Sequence, residues 1–273
     1  MLHVCPIGII QSLYGIKLKY FNLCYNISVM SFDIVIPLGS NDVNKINNML
    51  SHTINNIIGY RHIYIVSYDK NLNLPVEYKN IVHVVDENIF PFNINSIAIY
   101  HGHRSRNGWY LQQLLKLYAS IIIDGVLERY LVIDSDTVFL KPTEFIKNDI
   151  CLYNVGSEHH IPYFTHMKKL HSSLEKQNSF SGICHHMIFE KKYILELFKL
   201  IEEAHGNKNF WVIFLENVDK VQYDMSGSSE YEIYFNYMLK YHKNNIIIRK
   251  LKWENSTTIN KTDLDYISAH WYL

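Results

Sequence analysis

Cysteine is scarce, with four residues in 273, at Cys5, Cys24, Cys151 and Cys184. No C-x-x-C pair occurs among them, which excludes a zinc ribbon and a disulfide framework and fits a reducing, cytoplasmic compartment (a host's, for a viral chain). Net charge is absent as well: 26 basic residues balance 26 acidic ones at a pI near 7.3. No basic footprint for nucleic acid or for an acidic membrane surface therefore exists. No apolar run is long enough to span a bilayer, and the first 29 residues lack the basic start and cleavage site of a signal peptide. Gly (11) and Pro (6) form no linker, no repeat is visible, and neither a Walker A loop nor G-x-G-x-x-G occurs, so ATP-binding and dinucleotide-binding readings lose support.

Hydrophobic residues are plentiful at 48%, enough for one large α/β domain. Twenty-one tyrosines would suit a sugar-binding cleft, but an A/T-rich gene encodes the same bias. Clean patterning begins after Met30, so residues 1–30 read as a dispensable or poorly ordered extension and 31–273 as the domain. Asn-x-Ser/Thr triplets stand at Asn26, Asn255 and Asn260 and matter only on a secretory route.

Apolar runs at 33–39, 62–67 and 81–85 read as buried strands. Asn41 or Asp42 is placed to cap a helix between the first two. A helix over 108–122 buries Leu111, Leu114, Leu115, Tyr118 and Ile122, with Gln112, Gln113 and Lys116 off that stripe. Helices at 191–204 and 229–241 and a strand at 246–248 complete the reading. Strands alternating with helices predict βαβ units and a mostly parallel sheet flanked by helices.

The pattern with the most chemistry is Tyr130-Leu131-Val132-Ile133-Asp134-Ser135-Asp136. Residues i and i+2 of a strand share a side, so the two carboxylates converge where the sheet ends. Together they repel unless a cation lies between them, and a hard divalent ion is the natural occupant. Turn-initiating aspartates would look the same in isolation.

Four segments stand in order: Pro37-Leu38-Gly39, Arg106-Asn107-Gly108-Trp109-Tyr110-Leu111-Gln112-Gln113, Asp134-Ser135-Asp136 and Ser229-Glu230-Tyr231-Glu232. This set resembles a family of GT-A-type nucleotide-sugar glycosyltransferases, DUF6492-like and mostly uncharacterised, over residues 32–273. The resemblance implies a single GT-A-like, Rossmann-like α/β domain. It implies Mn²⁺ or Mg²⁺ held by Asp134 and Asp136, with Asp134 also near the ribose and His270 as a third ligand. The donor would be a nucleotide-diphospho-sugar, UDP- or GDP-linked, and the acceptor a hydroxyl of a glycan, protein or small molecule. Glu230 would be the general base of an inverting displacement, although a cap at a helix start accounts for an acidic residue there equally well.

Ligands of open α/β sheets lie beyond the strands' carboxyl ends, which points to Pro37, Leu38 and Gly39 for the nucleotide, with Asp69 at the end of the second strand. Arg106 can meet phosphate or sugar hydroxyls, and Gln112 or Gln113 a sugar. Within Cys184-His185-His186, adjacent side chains seldom share one metal, which argues against a zinc site; the family resemblance implies an acceptor-facing loop there, with His185 or His186 as a sugar contact. Two other readings stay open. One is a non-catalytic carbohydrate-binding protein on the same scaffold. The other is a haloacid-dehalogenase-type phosphatase, whose signature puts Thr four residues after the first Asp; here Thr137 is three after Asp134.

Overall fold

The strand Phe32–Leu38 is buried along its whole length, as a strand covered on both faces must be. Its one charge, Asp33, is fully shielded. It accepts from Arg61 Nε (3.1 Å) and Nη2 (2.6 Å), from His62 N (3.1 Å) and from Leu127 N (2.8 Å), and so ties three chain segments together beneath the sheet.

The computed structural model describes residues 32–259, 261 and 263–270. The predicted extension 1–30 and the triplets at Asn26 and Asn260 lie outside them. In chain order the elements are β1 (Phe32–Leu38), α1 (Ile46–Asn56), β2 (Ile57–Ile58), β3 (Tyr60–Ser67), β4 (Val82–Asp86), α2 (Ile94–His101), α3 (Asn107–Ile122), β5 (Arg129–Ile133), β6 (Thr137–Phe139), β7 (Thr143–Glu144), β8 (Ile146–Lys147), β9 (Ile150–Asn154), α4 (Ile161–Leu170), β10 (His186–Glu190), α5 (Lys191–Ala204), α6 (Phe210–Glu216), α7 (Glu230–Tyr241), β11 (Ile246–Arg249), β12 (Trp253–Asn255) and β13 (Tyr266–Ser268).

The central sheet has the order β10-β5-β1-β3-β4. β1 pairs in parallel with β3 and β5, β3 with β4, and β10 runs antiparallel to β5. The chain moves outward from β1 to β4, then crosses back through α2 and α3 to place β5 on the other side of β1. The carboxyl ends of β1 and β5 are therefore neighbours at a topological switch point, where a Rossmann-like sheet opens a crevice. Beyond β5 the chain turns into β6, and β13, at the far end of the chain, lies antiparallel to it, with Ser268 opposite Thr137. β12 completes that small sheet.

Two local expectations change. The segment after β1 is a 3₁₀ turn, Ser40–Lys45, with no side-chain cap, so Asp42 does not cap α1. The middle of α3 is buried on every side: Gln113 (1% exposed) and Lys116 (2%) are as covered as the leucines, because the start of α7 packs against the face that periodicity assigns to water. Among the described residues no helix is long and apolar enough to cross a membrane.

Between α4 and α6, His166 is fully buried, with Nε2 2.8 Å from Phe214 O. Burial pulls its pKa down from 6.5 to about 4. The unfolded chain thus binds this proton at a higher pH than the native one, so the contribution is present above about pH 6.5 and is lost as pH falls toward about 4. The loss is on the order of 3 kcal/mol. Urea unfolding of wild type and His166→Gln, at pH 7 and pH 4.5, should show a smaller pH-dependent loss in the variant; identical losses would refute this account.

Candidate functional site: a carboxylate–histidine cluster at the switch point

Asp134 directly follows β5, and its amide donates to His185 O at 2.9 Å. This extends the β5–β10 pairing, where His186 faces Ile133, by one step and sets His185 across from Asp134. His185 adopts a left-handed backbone, φ 61°, which costs a non-glycine residue about 1–2 kcal/mol and is a known feature of functional loops. Its Nδ1 comes to 3.3 Å from Asp134 Oδ2. Ligand atoms of Asp134, Asp136 and His185 all lie within 4.8 Å of one another.

Asp136 is held from the other end of the chain. Ser268 Oγ donates to Oδ1 (3.2 Å), His270 Nδ1 meets Oδ2 (2.8 Å), and Ala269 N donates to the Asp136 carbonyl (2.7 Å). The pairing of β13 with β6 supplies all three. The hydrogen bond to Asp136 pushes the His270 imidazole up from its ordinary pKa. His270 meets the cluster at the Asp136 carboxylate with its ring 5.1 Å from that of His185, and among the described residues the third candidate ligand atom belongs to His185, a residue expected to contact a sugar. His186 is buried in β10.

Beneath the aspartates lies Lys116. Its ammonium is 2.6 Å from Asp134 Oδ1 and 2.7 Å from Glu230 Oε1, with side-chain exposures of 3%, 21% and 4% respectively. Tyr231 OH donates to the same Asp134 oxygen (2.8 Å), and its ring lies 4.6 Å from the ammonium. Burial alone would lower Lys116 and raise Asp134. The attraction outweighs it in both, keeping the lysine above its usual range and Asp134 below the usual carboxylate range. Glu230 is raised, burial outweighing the attraction of Lys116.

Glu230 was expected to face an acceptor hydroxyl. It is 3% exposed, and the oxygen on Lys116 is committed to a buried ion pair, so the structure makes it a counter-ion rather than an open base. Ser229 caps α7 through Glu232 N (3.2 Å). Gln113, read as a sugar contact, instead accepts from Ser228 Oγ and Glu230 N, both at 3.1 Å, and holds the start of α7. Arg106 lies over Trp109 (4.8 Å) and donates to Ser226 Oγ (2.8 Å), pinning the loop before α7. Asp69 closes its own turn on Asn71 N (2.8 Å). Pro37 and Leu38 are buried in β1, and Gly39 alone of the three is exposed.

The cluster therefore unites three predicted residues, Asp134, Asp136 and His270, with four whose roles periodicity hid: Lys116, His185, Tyr231 and Ser268. Oxygens from two carboxylates with one imidazole nitrogen suit a divalent ion such as Mn²⁺. The DUF6492 family model, described as a family of unknown function, matches residues 39–272. The chain belongs to that family. The matched stretch contains every residue of the cluster. No curated protein matches the chain.

Removing the shared cation leaves the buried Glu230 carboxylate and the half-buried Asp134 carboxylate without their common partner. Lys116→Met should lower stability in urea by about 3–5 kcal/mol, and adding Glu230→Gln should restore part of it. Wild-type stability in the single variant would refute the pairing.

Proposed function

We propose that this DUF6492 protein is a metal-dependent glycosyltransferase of the GT-A type, moving a sugar from a UDP- or GDP-linked donor to a hydroxyl acceptor. The observation that carries the reading is the Asp134–Asp136–His185 donor set at the switch point of a Rossmann-like sheet. A crevice at that place is where such sheets bind nucleotides. A bound Mn²⁺ or Mg²⁺ would neutralise the charge that develops on a departing nucleoside diphosphate.

The chain's own residues prepare that site. Lys116 and Tyr231 occupy Asp134 Oδ1, which leaves Oδ2 to face the ligand side. Lys116 keeps Asp134 ionised, as a metal ligand must be. Ser268 and His270 fix the rotamer of Asp136. Glu230 acts on Asp134 through Lys116 and is a positioning residue. The strained His185 backbone places an imidazole beside both carboxylates. Asp134 does not precede the other core strands, as the phosphatase signature requires, since β1, β3 and β4 come before it.

A thermal-shift panel tests the reading. UDP or GDP at about 100 times its dissociation constant should raise the melting temperature by roughly 5 °C, and only with Mn²⁺ present. Asp136→Ala should abolish that shift. A protein that takes up Mn²⁺ but responds to no nucleoside diphosphate or sugar nucleotide would refute glycosyl transfer and leave a metal site of another kind.

A further inference from the structure

The 3₁₀ turn between β1 and α1 contributes to the site two charges that the reading above leaves without a role. In a 3₁₀ turn residues i and i+3 eclipse one another, so Asp42 and Lys45 share one side of it. That side faces the cluster. Asp42 Oδ2 accepts from Ser135 Oγ at 2.7 Å, and Ser135 is the residue between the two aspartates. Lys45 Nζ donates to Ala269 O at 3.0 Å, between the two residues that hold Asp136. The turn thus holds the loop between β5 and β6 and the residue that follows β13, whereas Lys116 and Tyr231 hold Asp134.

Neither group is satisfied by these contacts. Asp42 Oδ1 is shielded from solvent and accepts no hydrogen bond, with the Lys45 ammonium 4.0 Å away as its ion-pair partner. A shielded carboxylate oxygen without a donor is costly, and a ligand hydroxyl would satisfy it. Lys45 uses one of its three N–H donors on Ala269 and keeps 39% of its side chain exposed. A ligand fitting both would carry a hydroxyl for Asp42 and an anionic oxygen for Lys45, next to a divalent ion.

We propose that Asp42 and Lys45 are the nucleotide-recognition pair of this site, Asp42 accepting a ribose hydroxyl and Lys45 meeting a diphosphate oxygen. This rests on the glycosyl-transfer reading and assigns to the turn the contacts first expected of Asp69 and Arg106, which the fold turns elsewhere. Gly39, exposed at the start of the turn and with nothing within 4 Å of the place a Cβ would take, leaves room for the nucleoside.

Isothermal titration of wild type, Lys45→Met and Asp42→Asn tests it, first with Mn²⁺ alone, then with Mn²⁺ plus UDP or GDP, then with the 2′,3′-dideoxy form of the same nucleotide. Mn²⁺ alone should bind all three proteins alike, which shows the cluster intact. Lys45→Met should weaken the ribonucleotide about tenfold or more, the size of a hydrogen bond to a charged group. Wild type should prefer the ribonucleotide over the dideoxy form by about tenfold, and Asp42→Asn should lose that preference. Variants matching wild type in both respects would overturn the pair alone. A wild type that binds Mn²⁺ and neither nucleotide would overturn the glycosyl-transfer reading, and the pair with it.

Discussion

One buried ammonium organises the site. Lys116 lies between Asp134 and Glu230 with almost no access to water. A lone charge there would be untenable, and so would either carboxylate without it. The three constrain one another: α3 brings the lysine, the end of β5 brings Asp134, and the first residue of α7 brings Glu230. That arrangement fixes the register of two helices against the sheet and keeps Asp134 ionised, with its second oxygen beside His185. The acidic pole at the switch point exists because a cation underlies it.

A second constraint acts from the chain's far end. β13 pairs with β6 about 130 residues downstream, so Ser268 and His270 reach the two oxygens of Asp136. The 3₁₀ turn after β1 clips the same strand through Lys45. Segments near residues 42, 116, 134, 185, 230 and 270 thus meet at one point. None of them is a site by itself. The cost of gathering like charges, and of the strained backbone at His185, is offset by hydrogen bonds across strand pairs, among them the β10–β5 pairing that holds His185 in place.

Much of the fold was legible. Strands β1, β3, β4 and β5 and helices α3, α5 and α7 appear within a residue or two of the positions read from periodicity, because each is a long apolar run or a clear helical stripe. The shorter pieces, β2, β6 through β10, β12 and β13, escape periodicity, since so few residues carry little pattern. Helices α2, α4 and α6 escaped as well: histidine and lysine interrupt the stripe of α4, and α2 and α6 are only eight and seven residues long. At the site, Asp134 and Asp136 were legible because strand alternation alone puts them on one side.

Local pattern and composition set the class of architecture and the paired carboxylates at a strand end. What the charged residues face depends on how the elements pack. Lys116 reads as a solvated helix position and Glu230 as an open base or a cap, yet α7 packing on α3 buries them together. Asp42 reads as a helix cap, yet the turn aims it at Ser135. His185 reads as one of an ambiguous pair, yet the β10–β5 register sets it beside both aspartates. Periodicity reports which side of its own element a residue occupies, and the partner across that side is chosen by contacts distant in the chain.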